Sequence, residues 1–158
     1  MLNPARPATS VPTMLVVEDN PDHLELTLTA VQENGSNHDI VVARDGLEAL
    51  NYLFCQGPYR DRNPAHQPEL VLLDLGLPKI NGLELMQRMR EDPRTFSVPV
   101  VMLTSGNEQS DAVQALQGGL NSFACKPLDY REFKDKLRQV REYARSTRLA
   151  PFSAIQHT

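Results

Sequence analysis

Residues 70–74 read Leu-Val-Leu-Leu-Asp, and residues 75–85 continue as LGLPKINGLEL. Four apolar residues that end abruptly on a carboxylate do not fit a half-exposed strand, which alternates apolar and polar positions. They fit a strand buried on both faces, the habit of a parallel sheet. The same pattern recurs outward along the chain. Met14–Val17 ends in Glu18-Asp19, Val100–Leu103 ends in Thr104-Ser105, Ser122–Cys125 ends in Lys126-Pro127, and Ile40–Ala43 supplies a fifth run.

Helical patterns separate these runs. Asn20-Pro21 places a cap before a proline at the first helical position, Leu24, Leu28 and Val31 follow on one stripe, and Asn34-Gly35 is a stop. Asp45 with Glu48, Asn81 with Glu84 and Asp129 with Glu132 are capping pairs three residues apart. Behind them lie the stripes Leu50/Leu53/Phe54, Leu85/Met86/Met89 and Phe133/Leu137/Val140. A further helix is expected over 108–117, and Pro93 ends the one before it. The order is βα five times, so the expected fold is α/β, a five-stranded parallel sheet with five flanking helices and right-handed crossovers. One stretch breaks the rhythm. Residues 57–68 (GPYRDRNPAHQP) join the second helix to the third strand, where about 2–6 residues are usual. It reads equally well as a functional loop or a tolerated insertion.

At 158 residues the chain has the length of one domain. Lys+Arg 16 against Asp+Glu 20 gives a net charge of −4, which argues against a nucleic-acid-binding or membrane-surface module. The apolar runs are too short to span a bilayer, and residues 1–13 lack the apolar core of a secretory signal. Residues 1–12, with Pro4, Pro7 and Pro12, read as a loose tail. Cys55 and Cys125 stand in separate segments, the pattern of reduced thiols in a cytoplasmic protein.

In an open α/β sheet, ligands bind outside the carboxyl ends of the strands, at the switch in strand order. Four strands here deliver Glu18, Asp19, Asp74, Thr104 and Lys126 to that edge. Close carboxylates are normally all ionised near neutral pH and repel one another. A hard divalent cation such as Mg²⁺, held by carboxylates and sharing a phosphate, relieves that repulsion. Thr104 and Lys126 add a hydroxyl and a point charge suited to phosphoryl oxygens. Asp74, on the third strand, is the natural carboxylate nucleophile for an acyl phosphate. Each residue taken singly also fits a cap, a turn or a solvated charge; the joint pattern at four strand ends carries the functional reading.

The segments LVVEDNP (15–21), LVLLDLGLPKINGLEL (70–85), VVMLTSG (100–106) and CKP (125–127) resemble the receiver domains of bacterial two-component response regulators. The resemblance covers residues 13–145 and implies a flavodoxin-like sheet of order 2-1-3-4-5. It implies that a sensor histidine kinase phosphorylates Asp74. Mg²⁺ would be bound by Asp19, Asp74, the carbonyl of Gly76 and, mainly through water, Glu18. Thr104 would hydrogen-bond the phosphoryl group beside the small residue Ser105, and Lys126 would pair with it. Pro127 matches a position for a cis peptide bond, and Phe123 occupies the place of the aromatic switch residue; read alone, Phe123 fits plain core. Gly76 and Gly106 stand at the positions that tune dephosphorylation, where neither side chain can position water, which favours a longer phosphoryl lifetime. The connection over 57–68, with ALNYLF before it and LPKING after Asp74, resembles the single-domain regulators paired with bacterial phytochromes, some of which dimerise through a C-terminal arm.

Only Ser146–Thr158 follow the last expected helix, too little for a DNA-binding output domain. Output is therefore expected through protein contacts or onward transfer to a histidine phosphotransfer or effector protein. Tyr143, Leu149, Phe152 and Ile155 suggest a homodimer arm over 146–158, and a frayed tail is the open alternative. Two rival functions remain: a Mg²⁺-dependent phosphatase with an aspartyl-phosphate intermediate, against which Gly76 stands where such an enzyme carries a second Asp, and a receiver-like binding module that is not phosphorylated.

Overall fold

The computed structural model describes residues 12–35, 39–74, 82–104, 122–125 and 130–147. Strands β1 (Thr13–Val17), β2 (Asp39–Ala43), β3 (Leu70–Asp74), β4 (Val100–Thr104) and β5 (Ser122–Cys125) form one parallel sheet in the order β2-β1-β3-β4-β5. Helices α1 (Pro21–Glu33), α2 (Gly46–Leu53), α3 (Gly82–Arg90) and α4 (Tyr130–Thr147) flank it, with a single 3-10 turn at Gly57–Tyr59. The helix expected over 108–117 lies outside the described residues. Pro12, the last residue of the expected tail, already joins the fold: its carbonyl accepts a hydrogen bond from the Asp39 N–H at 2.8 Å.

The period of two along each strand divides the core into two layers. Leu15, Val17, Val71, Leu73, Val100 and Met102 point to one face and pack with Leu50, Leu53, Leu85, Met86 and Met89 of α2 and α3. Met14, Val16, Leu70, Leu72 and Val101 point to the other and pack with Leu24, Ala30 and Val31 of α1 and Phe133 and Leu137 of α4. Central β1 and β3 are buried nearly throughout, whereas edge strand β2 is half-exposed.

On the described residues the helix signals hold, with one local difference at Glu48; the expected cap residues Asn81 and Asp129 lie outside the described residues. Asn20 Oδ1 accepts the Asp22 and His23 N–H groups at 2.9 and 3.1 Å, and Gly35, at φ 74°, follows the end of α1. The buried face of α1 is Leu24, Thr27, Ala30 and Val31; Leu28, partly buried, packs against the same core layer. At α2, Asp45 Oδ1 accepts the Glu48 N–H at 2.7 Å, but the Glu48 carboxylate reaches past the cap residue to the Arg44 N–H at 2.9 Å.

Helix α4 is fastened to the end of α1. Glu33 Oε1 accepts the Tyr130 hydroxyl at 2.8 Å and Lys134 Nζ at 3.3 Å, and Asn34 Nδ2 donates to the Lys134 carbonyl at 3.0 Å. The Tyr130 hydrogen bond, followed by that of Lys134, holds the Glu33 carboxyl below its usual range. The helix runs through Tyr143 to Thr147, so Tyr143, Ser146 and Thr147, all assigned to the arm, are helical; Leu149, Phe152 and Ile155 lie outside the described residues.

Arg90 ends α3 by folding its guanidinium inward. Its Nη1 donates to the carbonyls of Phe96 and Val98 at 3.0 and 2.8 Å, and more distantly to Thr95 at 3.4 Å. Burial pushes its pKa down to about 10, which leaves it charged at neutral pH. It closes the turn that leads into β4, with the buried Thr95 hydroxyl on the Met89 carbonyl at 2.7 Å.

The connection over 57–68 is folded back on α2. Arg62 lies 3.9 Å over the Tyr52 ring and donates to the Tyr52 carbonyl, the His66 carbonyl and Gln67 Oε1 at 2.9, 2.6 and 3.4 Å. Gln67 Nε2 donates to the Leu53 and Pro64 carbonyls at 3.0 and 2.9 Å. Tyr59 packs edge-on against Tyr52, ring centroids 5.1 Å apart, and its hydroxyl donates to Glu48 Oε2 at 3.3 Å.

Candidate functional site

The order β2-β1-β3 places the switch point between β1 and β3. The register pairs Val16 with Leu72 and Val17 with Leu73. Continued by one residue, it brings Glu18 opposite Asp74 at the carboxyl edge. One carboxylate oxygen each from Glu18, Asp19 and Asp74 lies within 4.8 Å of the others. Among the described residues this is the one cluster of acidic, histidine or cysteine side chains compact enough to surround a cation.

The three carboxylates are held differently. Glu18 is only 1% exposed; its N–H donates to the Ala43 carbonyl at 2.9 Å, and its Oε2 accepts the Asn20 N–H at 3.2 Å. Asp19 is exposed and Asp74 half-buried. Thus one carboxylate is fixed in the protein, one faces solvent and one stands between them at the end of the central strand. Two like charges at this spacing repel by a few kcal/mol at an effective dielectric of about 20. A divalent cation reverses the sign of that interaction, and an all-oxygen donor set matches Mg²⁺ or Mn²⁺. The residues present therefore fit such an ion.

His23 also stands here and was not singled out in the sequence. On the first turn of α1, its Nδ1 is 4.0 Å from Glu18 Oε2. The readable signal was spacing: a residue five beyond Glu18, after a cap and proline that turn the chain back, sits over the strand end.

Of the other expected site residues, Thr104 ends β4 one position beyond Leu103, the register partner of Asp74. Phe123 lies on β5 opposite Met102, and Thr104 pairs with Cys125. The backbone thus brings Thr104 to the Asp74 edge; of these side chains nothing more is described. Gly76, Ser105, Lys126 and Pro127 lie outside the described residues. Among the described residues no helix is long and apolar enough to cross a membrane.

An α/β domain with a carboxylate cluster at its topological switch point defines a class: proteins that place a carboxylate, a cation and a phosphoryl group together at one strand edge. Residues 14–138 match the response regulator receiver domain, and the chain belongs to that family. Receiver domains of two-component response regulators are phosphoacceptor signalling domains, typically phosphorylated on Asp, and take the phosphoryl group from sensor histidine kinases.

Within the family the chain is close to phytochrome response regulators. It is similar to the bacteriophytochrome response regulator AtBRR, with 44% identity and a TM-score of 0.71 over 82% of this chain and 91% of AtBRR. It is similar to the phosphorylated cyanobacterial phytochrome response regulator RcpA, with 29% identity and a TM-score of 0.76 over 87% of this chain and 96% of RcpA. Response regulator Rcp1 of Synechocystis sp. is 31% identical over 127 residues, 80% of this chain and 82% of Rcp1. The Mn²⁺-bound form of response regulator Rcp1 superposes with a TM-score of 0.72 at 27% identity, over 82% of this chain and 91% of that one.

Proposed function

We propose that Asp74 is the phosphoacceptor and that Asp19, Asp74 and the Gly76 carbonyl, with Glu18 acting mainly through water, hold Mg²⁺. The observation that carries this reading is the meeting of Glu18, Asp19 and Asp74 within 4.8 Å at the β1/β3 switch point. An Asp74 oxygen attacks phosphorus as the bond to the donor breaks, and the electron pair leaves with the donor nitrogen. When bound, the cation neutralises charge on the equatorial phosphoryl oxygens. Buried Glu18 fixes one wall of the site, and exposed Asp19 admits the donor side. Thr104, beside Ser105, hydrogen-bonds the phosphoryl group, and Lys126, ahead of Pro127, pairs with it. Phe123 follows the movement of Thr104 and carries the signal to the protein surface.

The donor is a phytochrome-type sensor histidine kinase, a reading supported by the likeness to AtBRR and RcpA. The protein works in the cytoplasm as a homodimer through Tyr143, Leu149, Phe152 and Ile155. It passes the signal by altered contacts or onward phosphotransfer, and catalyses only its own phosphorylation and dephosphorylation. Incubation with acetyl phosphate and Mg²⁺, followed by intact mass, tests the acceptor. One added phosphoryl group that is lost in Asp74→Asn supports it; no adduct, or one that survives the substitution, refutes it. Sustained turnover of small phosphate esters would favour the phosphatase reading instead.

A further inference from the structure

We propose that Asn20 is a positioning residue for the carboxylate cluster: by capping α1, its side chain sets the peptide whose N–H aims the buried Glu18 carboxylate. The inference rests on the reading that Glu18, Asp19 and Asp74 hold Mg²⁺.

Asn20 stands between the carboxylates of the β1 end and the first residue of α1, and it grips both sides. Toward the strand, its N–H donates to Glu18 Oε2 at 3.2 Å. Toward the helix, its Oδ1 accepts the Asp22 and His23 N–H groups at 2.9 and 3.1 Å, and its carbonyl accepts the Leu24 N–H at 2.9 Å. Pro21, at the first helical position, keeps the residue before it out of the helical region, and Asn20 is extended, at φ −91° and ψ 117°. That restriction alone leaves a broad extended basin. The side-chain grip on two consecutive N–H groups selects one orientation within it, and with it the direction of the Asn20 N–H.

Glu18 is a residue whose aim such a bond can set. Its backbone is pinned to β2 by the hydrogen bond from its N–H to the Ala43 carbonyl at 2.9 Å. Its side chain is only 1% exposed, so protein groups rather than bulk water orient it. A backbone N–H on an ionised carboxylate is a charge-assisted bond. Carboxylates that serve a cation are held by such bonds, and losing an orienting group typically costs about 10–100-fold in metal affinity. Because Glu18 acts mainly through water, Asn20 belongs at the low end of that range. The bland reading of Asn20 is a helix cap that contributes stability and has no effect on the cation.

The test titrates the full chain with Mg²⁺ by calorimetry, at a temperature where the variants are folded. Asn20→Ala and Asn20→Gly both remove the side-chain grip. Glycine at a cap costs little stability, so Asn20→Gly stands even if Asn20→Ala unfolds. Both are expected to weaken Mg²⁺ binding about tenfold, while Asn20→Ser, which keeps a capping oxygen, stays within about twofold of wild type. In a Glu18→Gln background, Asn20→Gly is expected to change Mg²⁺ affinity less than about twofold, since its effect runs through Glu18. Arg62→Ala, destabilised in the connection over 57–68, is expected to keep wild-type Mg²⁺ affinity. An unchanged affinity in Asn20→Gly, or an equal loss with and without Glu18→Gln, overturns the inference while Asp19→Asn still weakens Mg²⁺. If Asp19→Asn leaves Mg²⁺ affinity unchanged, the cation reading falls and this inference falls with it.

Discussion

At the carboxyl ends of β1 and β3, three carboxylates face one another within 4.8 Å. Across α2, in the connection over 57–68, Arg62 stacks on Tyr52 and donates to two carbonyls and a side-chain amide. Both regions are polar and both depart from the hydrophobic logic of the core, yet their groups are satisfied in opposite ways. The connection supplies its own partners: Gln67 and Tyr59 complete a network in which cation, ring and carbonyls complement each other. Among the described residues the strand edge gathers three carboxylates within 4.8 Å of one another, and a divalent cation would offset their mutual repulsion. A long loop is commonly read as the functional part of a fold. Here the folded connection is self-sufficient, and the strand ends carry the demand for a ligand.

The largest effect that separates the two regions is on phosphoryl uptake. Asp74→Asn should abolish it, and urea unfolding in chelator should find that variant more stable than wild type, by about 1–2 kcal/mol, because one of three repelling charges is gone. Equal or lower stability would mean that the cluster is not strained by its charge. Next comes the cation itself. Mg²⁺ at a hundred times its dissociation constant should stabilise wild type by about 2.7 kcal/mol, and Asp19→Asn should lose most of that gain in thermal melts.

Arg62→Ala should cost about 2 kcal/mol of stability through the lost stack and hydrogen bonds, while the folded fraction keeps phosphoryl uptake. A parallel loss of uptake would join the connection to the site and break the contrast. The smallest effect lies at Asp92. Its hydrogen bonds to Arg94, at 2.8 and 3.0 Å, hold its pKa at about 2, below the ordinary value of 3.8. A depressed folded value gives stability that is present above about 3.8 and lost as pH falls through about 2. The pair is exposed, so screening keeps its worth under about 1 kcal/mol. Urea midpoints of Asp92→Asn and wild type should therefore differ slightly at pH 7 and converge in acid.

Much of this was legible in the sequence because the signals were covalently local. Runs such as LVLLD and MLVVED carry burial and a strand-end carboxylate in one short stretch, so strand identity and the Glu18–Asp74 meeting followed from the sheet type. Caps were legible too, since Asn20 and Asp45 act within three residues. What escaped depended on direction. Leu24, Leu28 and Val31 form the expected helical stripe, but Thr27 is buried more fully than Leu28, which is only partly buried against the core. Nothing local in the sequence marks Arg62 or Arg90. Their partners are carbonyls at the end of α2 and in the turn between α3 and β4. His23 escaped for the same reason: its neighbour, Glu18, lies on a different element.

The central claim is that Asp74, rather than Asp19 or Glu18, takes the phosphoryl group at this edge. Its most direct test is chemical mapping of the phosphorylated full chain. Borohydride reduction cleaves an aspartyl phosphate and leaves homoserine in its place, and peptide mass spectrometry then locates the altered residue. Homoserine at position 74, formed only when Mg²⁺ accompanies the phosphodonor, is the predicted result. Reduction at position 18 or 19, or a phosphoryl group that forms equally well in chelator, would contradict it.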